Sequence, residues 1–564
     1  MTPLLALLPL LVPAQTAQQS AVDFLPQDTF VAIEISAEPW QRLGDQAAVS
    51  QLFQQQPMAD MFTPMKAEID VALAQASAQM GFDLGSLLTG SRLYVAVPFA
   101  LLENQGQGQL VFAADLPPAI AEGVNLGQML DSFGQGAWWQ EGTVLLGTVQ
   151  PDELETADRR LQGGFETGVF EPSPARGEDA DYLAGLIDAG RKGAGLSGRP
   201  TFATMAAKAR SANDLMGIWL MVEHIDREFI EMVGEEELPE GIEQLAERAG
   251  ISKLGGVGYS FSVSPPMLED RFVFAGEGFG AGLFPPDLLE LVDLRGLLSA
   301  LPHDAVQVQL SAMDYSALGD MLEGLLDFAL SISGEEMPAE VQPMADAVWL
   351  ALDSIGPVAA GVTRIDDFDR GNPGEAWIQV RNKEGLEEAL SVIPQEVFDG
   401  ISSAMQMSPG APQLKLAMQG ERFVFIESLG QPTTERLLTQ AEFQPSADWL
   451  RQFPANQIAG IEFVHRDLIV EGFDLMRERG DDMLSMMGEG LPVSFEMLPE
   501  PVVMRAILRP MTGVILSDGQ GVTSVTRSPL GAMPTRMLVA LPTLMNMVEA
   551  MGMGFSSQFD EEEF

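Results

Sequence analysis

The chain offers few imidazoles and no thiols with which to carry a proton or hold a metal. It has three histidines, His224, His303 and His465, and no cysteine. Without Cys there is no thiol nucleophile, no Cys-type zinc site, no iron–sulfur ligand and no disulfide. Two of the histidines stand two residues before an aspartate, His224 before Asp226 and His465 before Asp467, each at the end of a strand-like run. A His beside a carboxylate can work as a general acid or base. The same spacing describes a strand-end His followed by an Asp that caps the next helix, and this structural reading is preferred. No H-x-x-x-H pair exists to grip a metal from one helix face.

Several motifs fail on their surroundings. His465-Arg466-Asp467-Leu468 spells the catalytic-loop signature of protein kinases, but Gly472 stands where the metal-binding Asn belongs. The Gly-rich loop, strand Lys and Asp-Phe-Gly partners are missing as well. Gly276-Glu277-Gly278-Phe279-Gly280-Ala281 outlines a dinucleotide fingerprint, yet Pro285 and Pro286 follow where a helix should open, and Glu277 would repel a pyrophosphate. Asp366-Asp367-Phe368-Asp369-Arg370-Gly371-Asn372 suggests a calcium loop. Counted from Asp367, position six is Asn372 and position twelve is Ile378, so EF-hand spacing is not met and a solvated acidic loop is the simpler reading. Gly258-Tyr259-Ser260-Phe261-Ser262 lacks the final glycine of a serine-hydrolase elbow. Methionines are plentiful at 31, with clusters Met483-Met486-Met487 and Met545-Met547-Met551-Met553 that thioether-bound Cu(I) would tolerate. Leu544, Met547 and Met551 also share one helical face, where Met fills irregular core gaps. No catalytic, cofactor-binding or metal-ligating residue is therefore assigned, and no cofactor is expected.

The elements that would position any site come from the remaining 564-residue pattern. Hydrophobic residues make up 46 %, enough for packed cores, and the length fits roughly three to five units of ~100–200 residues. Against 31 Lys plus Arg stand 81 Asp plus Glu, a net charge of −50. Such a surface repels phosphates, so nucleic acid and anionic lipid are poor partners. Carboxylate excess of this size also hydrates strongly, and a saline or exposed environment suits it.

Residues 4–12 (LLALLPLLV) are an apolar run far shorter than the ~20 residues of a bilayer span, followed by Ala14 and Ala17. This predicts a signal peptide over 1–17 and an exported protein, periplasmic or extracellular. Residues 533–555 are apolar but interrupted by Arg536, Pro542, Asn546 and Glu549, which predicts a docked amphipathic helix and no transmembrane segment beyond the signal peptide. An acidic tail, 556–564, is expected to be disordered.

Long-range repetition is the strongest signal. Leu25-Pro26-Gln27-Asp28-Thr29 before residues 30–35 (FVAIEI) matches Leu301-Pro302-His303-Asp304-Ala305 before residues 306–310 (VQVQL). Pro fixes φ and Asp favours the turn, so Leu-Pro-x-Asp launches a strand. Phe453-Pro454-Ala455-Asn456 is a looser third opening. Gly90 and Gly356 keep register, Gly142 corresponds to Gly420, and residues 218–226 resemble 459–467. The expected fold is α+β: two long tandem repeats of mostly antiparallel sheets with helices packed on them. Repeat 1 divides into a larger module at 21–162, a linker or flexible segment at 163–200, and a smaller module at 201–290. Repeat 2 divides into 291–445 and 446–555.

The openings FLPQDTFVAIEIS and ALPHDAVQVQLSAMD, with FDLGSLLTGSRLYVAV, resemble uncharacterised bacterial exported proteins. These form a domain-of-unknown-function family with repeated Leu-Pro-x-Asp-Thr strand openings. The resemblance spans most of residues 23–550 and implies no activity. The expected role is non-catalytic binding or scaffolding in the envelope or extracellular space, with a protein, peptide or apolar ligand as partner. The alternatives are a hydrolase with a carboxylate or His/Asp site, and a Met-lined copper carrier.

Overall fold

A computed structural model describes residues 19–36, 38–44, 46–56, 58–80, 83–103, 108–123, 126–132, 136–150, 177–223, 251–333, 337–339, 341–364, 375–392, 414–419, 422–426, 437–486 and 495–550. The expected signal peptide at 1–17 and tail at 556–564 lie outside them, as do His224, Asp226, the acidic loop at 366–372 and the cluster residues Met487, Met551 and Met553. The architecture is α+β, and every described strand pairing is antiparallel. The chain forms two compact units.

The smaller unit takes residues 1–38, 71–203 and 216–224. Its strands are β1 (Thr29–Ser36), β2 (Arg92–Pro98), β3 (Leu110–Asp115), β4 (Ala137–Glu141), β5 (Val144–Val149) and, from Met216, β6 (Asp214–Met221), in the order β6-β1-β2-β3-β5-β4. The chain enters through a 3-10 turn, Ala21–Phe24, whose orphan donors are taken by a carboxylate. Asp115 accepts the Ala21 N–H at 2.7 Å and the Ser20 hydroxyl at 2.8 Å. The opening turn then closes twice on Pro26, whose carbonyl accepts the Thr29 N–H at 3.3 Å and the Thr29 hydroxyl at 2.6 Å. Arg199, buried, donates to the Gln27 and Thr29 carbonyls and pairs with Glu223. Leu116, Ile120, Leu126 and Leu145 pack short helices onto the sheet.

The expected linker at 163–200 is corrected for its described part. Gly177–Arg191 is a helix that buries Leu183 and Leu186, and the Leu196 N–H bonds the Leu25 carbonyl at 2.9 Å. Two of its glycines permit close approach: a Cβ on Gly195 would sit 1.8 Å from the Asp23 carbonyl oxygen, and one on Gly190 would meet the Phe24 ring at 2.3 Å.

The larger unit takes 39–70, 204–215 and 225–564. Its strands are β7 (Gly256–Ser264), β8 (Met267–Ala275), β9 (Ala305–Ala312), β10 (Ile355–Arg364), β11 (Glu375–Val380), β12 (Leu414–Gln419), β13 (Arg422–Ile426), β14 (Ile458–Val464), β15 (Met511–Ser517) and β16 (Gly521–Ser528). Their order is β12-β13-β11-β10-β9-β14-β15-β16-β8-β7. Period-two patterning is explicit on β9, where Val308, Leu310 and Ala312 are buried and Gln309 faces out. One core gathers Leu298, Leu301, Val308, Trp449 and Phe463. A second packs helices Arg466–Met486, Pro501–Ile507 and Ala532–Ala550 through Leu468, Ile469, Met504 and Leu538. Among the described residues no helix is long and apolar enough to cross a membrane.

Candidate functional site

The His465 motif sits where β14 passes into the helix Arg466–Met486. Its backbone N–H bonds the Val306 carbonyl at 2.7 Å, fixing the strand end, and its side chain is almost wholly buried. Nδ1 accepts the Asp467 N–H at 3.2 Å, so His465 itself occupies the cap position expected for Asp467. Nδ1 thereby presents its lone pair to that amide, and Nε2 lies 2.7 Å from Glu442 Oε2. Arg466 binds the other Glu442 oxygen at 2.5 Å and donates to the Arg505 carbonyl at 3.1 Å. Arg505 closes the ring on Asp467 at 3.1 Å, and the second Asp467 oxygen lies 3.4 Å from Nδ1. Two guanidiniums and two carboxylates thus surround the imidazole.

A general base needs a lone pair aimed at substrate. Here the Nδ1 lone pair is spent on the Asp467 amide and the ring is wedged beside Glu442, so the arrangement clamps a strand end to a helix. Glu442 carries half of the clamp and was invisible in sequence: 23 residues upstream in a chain with 81 carboxylates, it has no spacing signature. His303 lies in the turn that opens β9. Gly472, in the slot of the kinase Asn, faces the helix Ala532–Ala550, where a Cβ would meet the Leu538 carbonyl oxygen at 2.2 Å. The Gly276–Gly280 segment is a turn whose amides bond the opposite hairpin, Gly276 to Gln520 and Gly278 to Gly519, and the helix after it, Pro286–Leu291, has six residues. Among the described residues no three His, Asp or Glu converge as a metal site.

Comparison with protein-family models, curated proteins and solved structures finds no match. The functional reading therefore rests on surface and chemistry alone.

Each unit shows large apolar side chains exposed on one sheet face; in the larger unit it is the face opposite the core of Val308 and Phe463. In the smaller unit Ile35, 49 % exposed, lies opposite Leu93, and Ile218 lies opposite Ile33 on the neighbouring strand. In the larger unit Phe272, 42 % exposed, is in one row with Ser524 and Ile515, and Phe274 follows it on the same face. The Tyr259 ring packs on Phe272 at 4.6 Å between centroids. Exposed apolar groups in such registered rows, rather than scattered singly, mark contact surfaces. The opposite face of β8 is a charge cluster. Glu269 pairs with Arg271 at 2.6 Å and Arg527 at 3.4 Å, while Arg527 also lies over the Trp449 ring; burial pushes the Arg527 guanidinium below its ordinary value.

Proposed function

We propose that the chain is an exported, non-catalytic binding or scaffolding protein built from two tandem copies of one unit, akin to the bacterial exported group with Leu-Pro-x-Asp-Thr openings. The observation that carries the binding reading is a registered apolar row on each unit by itself: Ile35 and Leu93 on the smaller, and Phe272, Phe274 and Ile515 on the larger. Support for export is the apolar run at residues 4–12 with Ala14 and Ala17 behind it.

Support for duplication comes from ladder registers that repeat. Ala32, seven residues past Leu25, faces Ala96, six past Gly90; Val308, seven past Leu301, faces Val362, six past Gly356. On the other side Ala32 faces Trp219 and Val308 faces Phe463, both buried aromatics. Trp219 takes Phe202 edge-on at 5.6 Å, and Phe463 takes Phe443 edge-on at 4.8 Å. The Leu196 amide bonds Leu25, and the Leu437 amide bonds Leu301 at 3.0 Å. The order β4-β5-β3-β2-β1-β6 recurs as β12-β13-β11-β10-β9-β14. On this reading Trp219 matches Phe463, so the pairing of residues 218–226 with 459–467 slips by three, and His224 has no His counterpart.

Affinity capture from the native envelope tests the binding reading, with full-length wild type run beside a Phe272→Asp/Phe274→Asp variant of unchanged Tm. Partners held by the wild type and lost by the variant support it; an identical set overturns it. Intact Met1 on protein recovered from the envelope would overturn export. The second reading, a hydrolase, has His465 between two carboxylates in its favour. Ester or peptide turnover abolished by His465→Asn would establish it against the first.

A further inference from the structure

Asp270 on β8 is 5 % exposed and receives the N-terminus of the helix Ala532–Ala550. Its Oδ2 accepts the Ala532 N–H at 2.7 Å, and its Oδ1 accepts the Tyr259 hydroxyl at 2.7 Å. Gly531, at φ +98°, turns the chain so that the amide reaches the carboxylate, a conformation that L side chains resist. Both donors are neutral. The charged groups around it come from four elements. Tyr259 stands on β7, with burial and the Asp270 charge raising its hydroxyl well above the ordinary value. Glu269 and Arg271 flank Asp270 on β8 itself and pair with each other on the opposite face. Arg527 on β16 is drawn to Glu269, and Arg536 on the helix is spent on Glu462 of β14 at 2.6 Å.

A buried carboxylate with two neutral donors and no cation of its own is costly to ionise. Water restores the charge cheaply once the helix lifts. We propose that Asp270 is a proton-operated latch, through which seating of the N-terminus of the helix Ala532–Ala550 against β8 and β16 takes up a proton and tightens in acid. Burial, the largest influence, holds the Asp270 carboxyl above the usual aspartate range, while Tyr259, the Ala532 amide and Arg536 pull it part of the way back. The sign follows from that upward displacement. Docking is strongest where Asp270 is protonated and weakens as pH rises from the unfolded aspartate value through the folded one.

The test is amide hydrogen exchange at residues 535–538 of the full-length protein, corrected for intrinsic rates, at about pH 4.5 and about pH 7.5. The expected protection is roughly threefold or more higher in acid, within the tenfold per pH unit that one linked proton allows. Asp270→Asn, neutral throughout with one oxygen for the Ala532 amide and an NH2 for the Tyr259 oxygen, should bring the ratio to about one. Equal ratios in the two proteins, or protection that grows with pH in the wild type, would overturn the latch. Should the variant not fold, 13C-aspartate labelling decides it in folded protein. The carboxyl resonance displaced by Tyr259→Phe should titrate above the normal aspartate range in wild type, and a midpoint at or below that range would also overturn it.

Discussion

At position 472 a side chain has no room. The nearest obstacle is main-chain, the Leu538 carbonyl of the crossing helix, so no rotamer change relieves it. Gly472→Ala gains up to about 1 kcal/mol of helix propensity but overpacks the crossing, which typically costs about 1–3 kcal/mol. Net loss is expected, read as a lower denaturant midpoint at unchanged slope; a higher midpoint would show that the helices separate freely. His465 poses a different question, because it both caps a helix and answers Glu442. His465→Ala should cost about 1–2 kcal/mol, and His465→Asn, which restores an acceptor for the Asp467 amide, should recover part of it. Equal losses in the two variants would remove the cap from the account. The hydroxyl of Thr29 shows how much one atom matters in an opening turn. Ala305 lacks it, yet the backbone bond to Pro302 persists at 3.4 Å, so the amide alone closes the turn.

Elements with long apolar periodicity were legible in sequence. The strand openings, the β4–β5 hairpin around Gly142 and the antiparallel α+β class follow from proline, glycine and period-two alternation. The glycines and prolines of 163–200 resemble punctuation and so predict a linker; Gly190 and Gly195 instead admit Phe24 and Asp23 at contact distance, which spacing alone cannot signal. Glu442 and Asp270, the carboxylates that act, are chosen by tertiary contact from among 81. The registers offer a test at this scale. Leu196 and Leu437 are each fully buried and each bond the leucine of an opening turn. Leu196→Ala and Leu437→Ala should each cost about 2–5 kcal/mol, with similar values if the seats are equivalent. A neutral change at one seat beside a large loss at the other, measured by urea unfolding, would break the equivalence.

Over the whole molecule the dominant fact is charge. Fifty uncompensated negatives repel one another in the folded state more than in an expanded one, because folding brings them together. Local pairing does little to offset this. The described surface pairs, such as Lys192–Asp188 and Arg451–Asp448, are exposed and worth about 0–1 kcal/mol each. Screening is the remaining remedy, with a Debye length falling from about 30 Å at 0.01 M salt to about 3 Å at 1 M. The protein should therefore gain stability with NaCl across that range, with Tm rising by at least about 2 °C, the shift expected for roughly 1 kcal/mol in a unit of this size. Most of the gain should arrive while the Debye length is still longer than the spacing between neighbouring carboxylates. Sodium sulfate at matched ionic strength separates the causes, since its exclusion from protein surface adds a further rise that screening alone does not produce. A Tm flat from low to high NaCl would mean that the carboxylates are already compensated in the fold, and would remove the charge-based case for a saline or exposed setting.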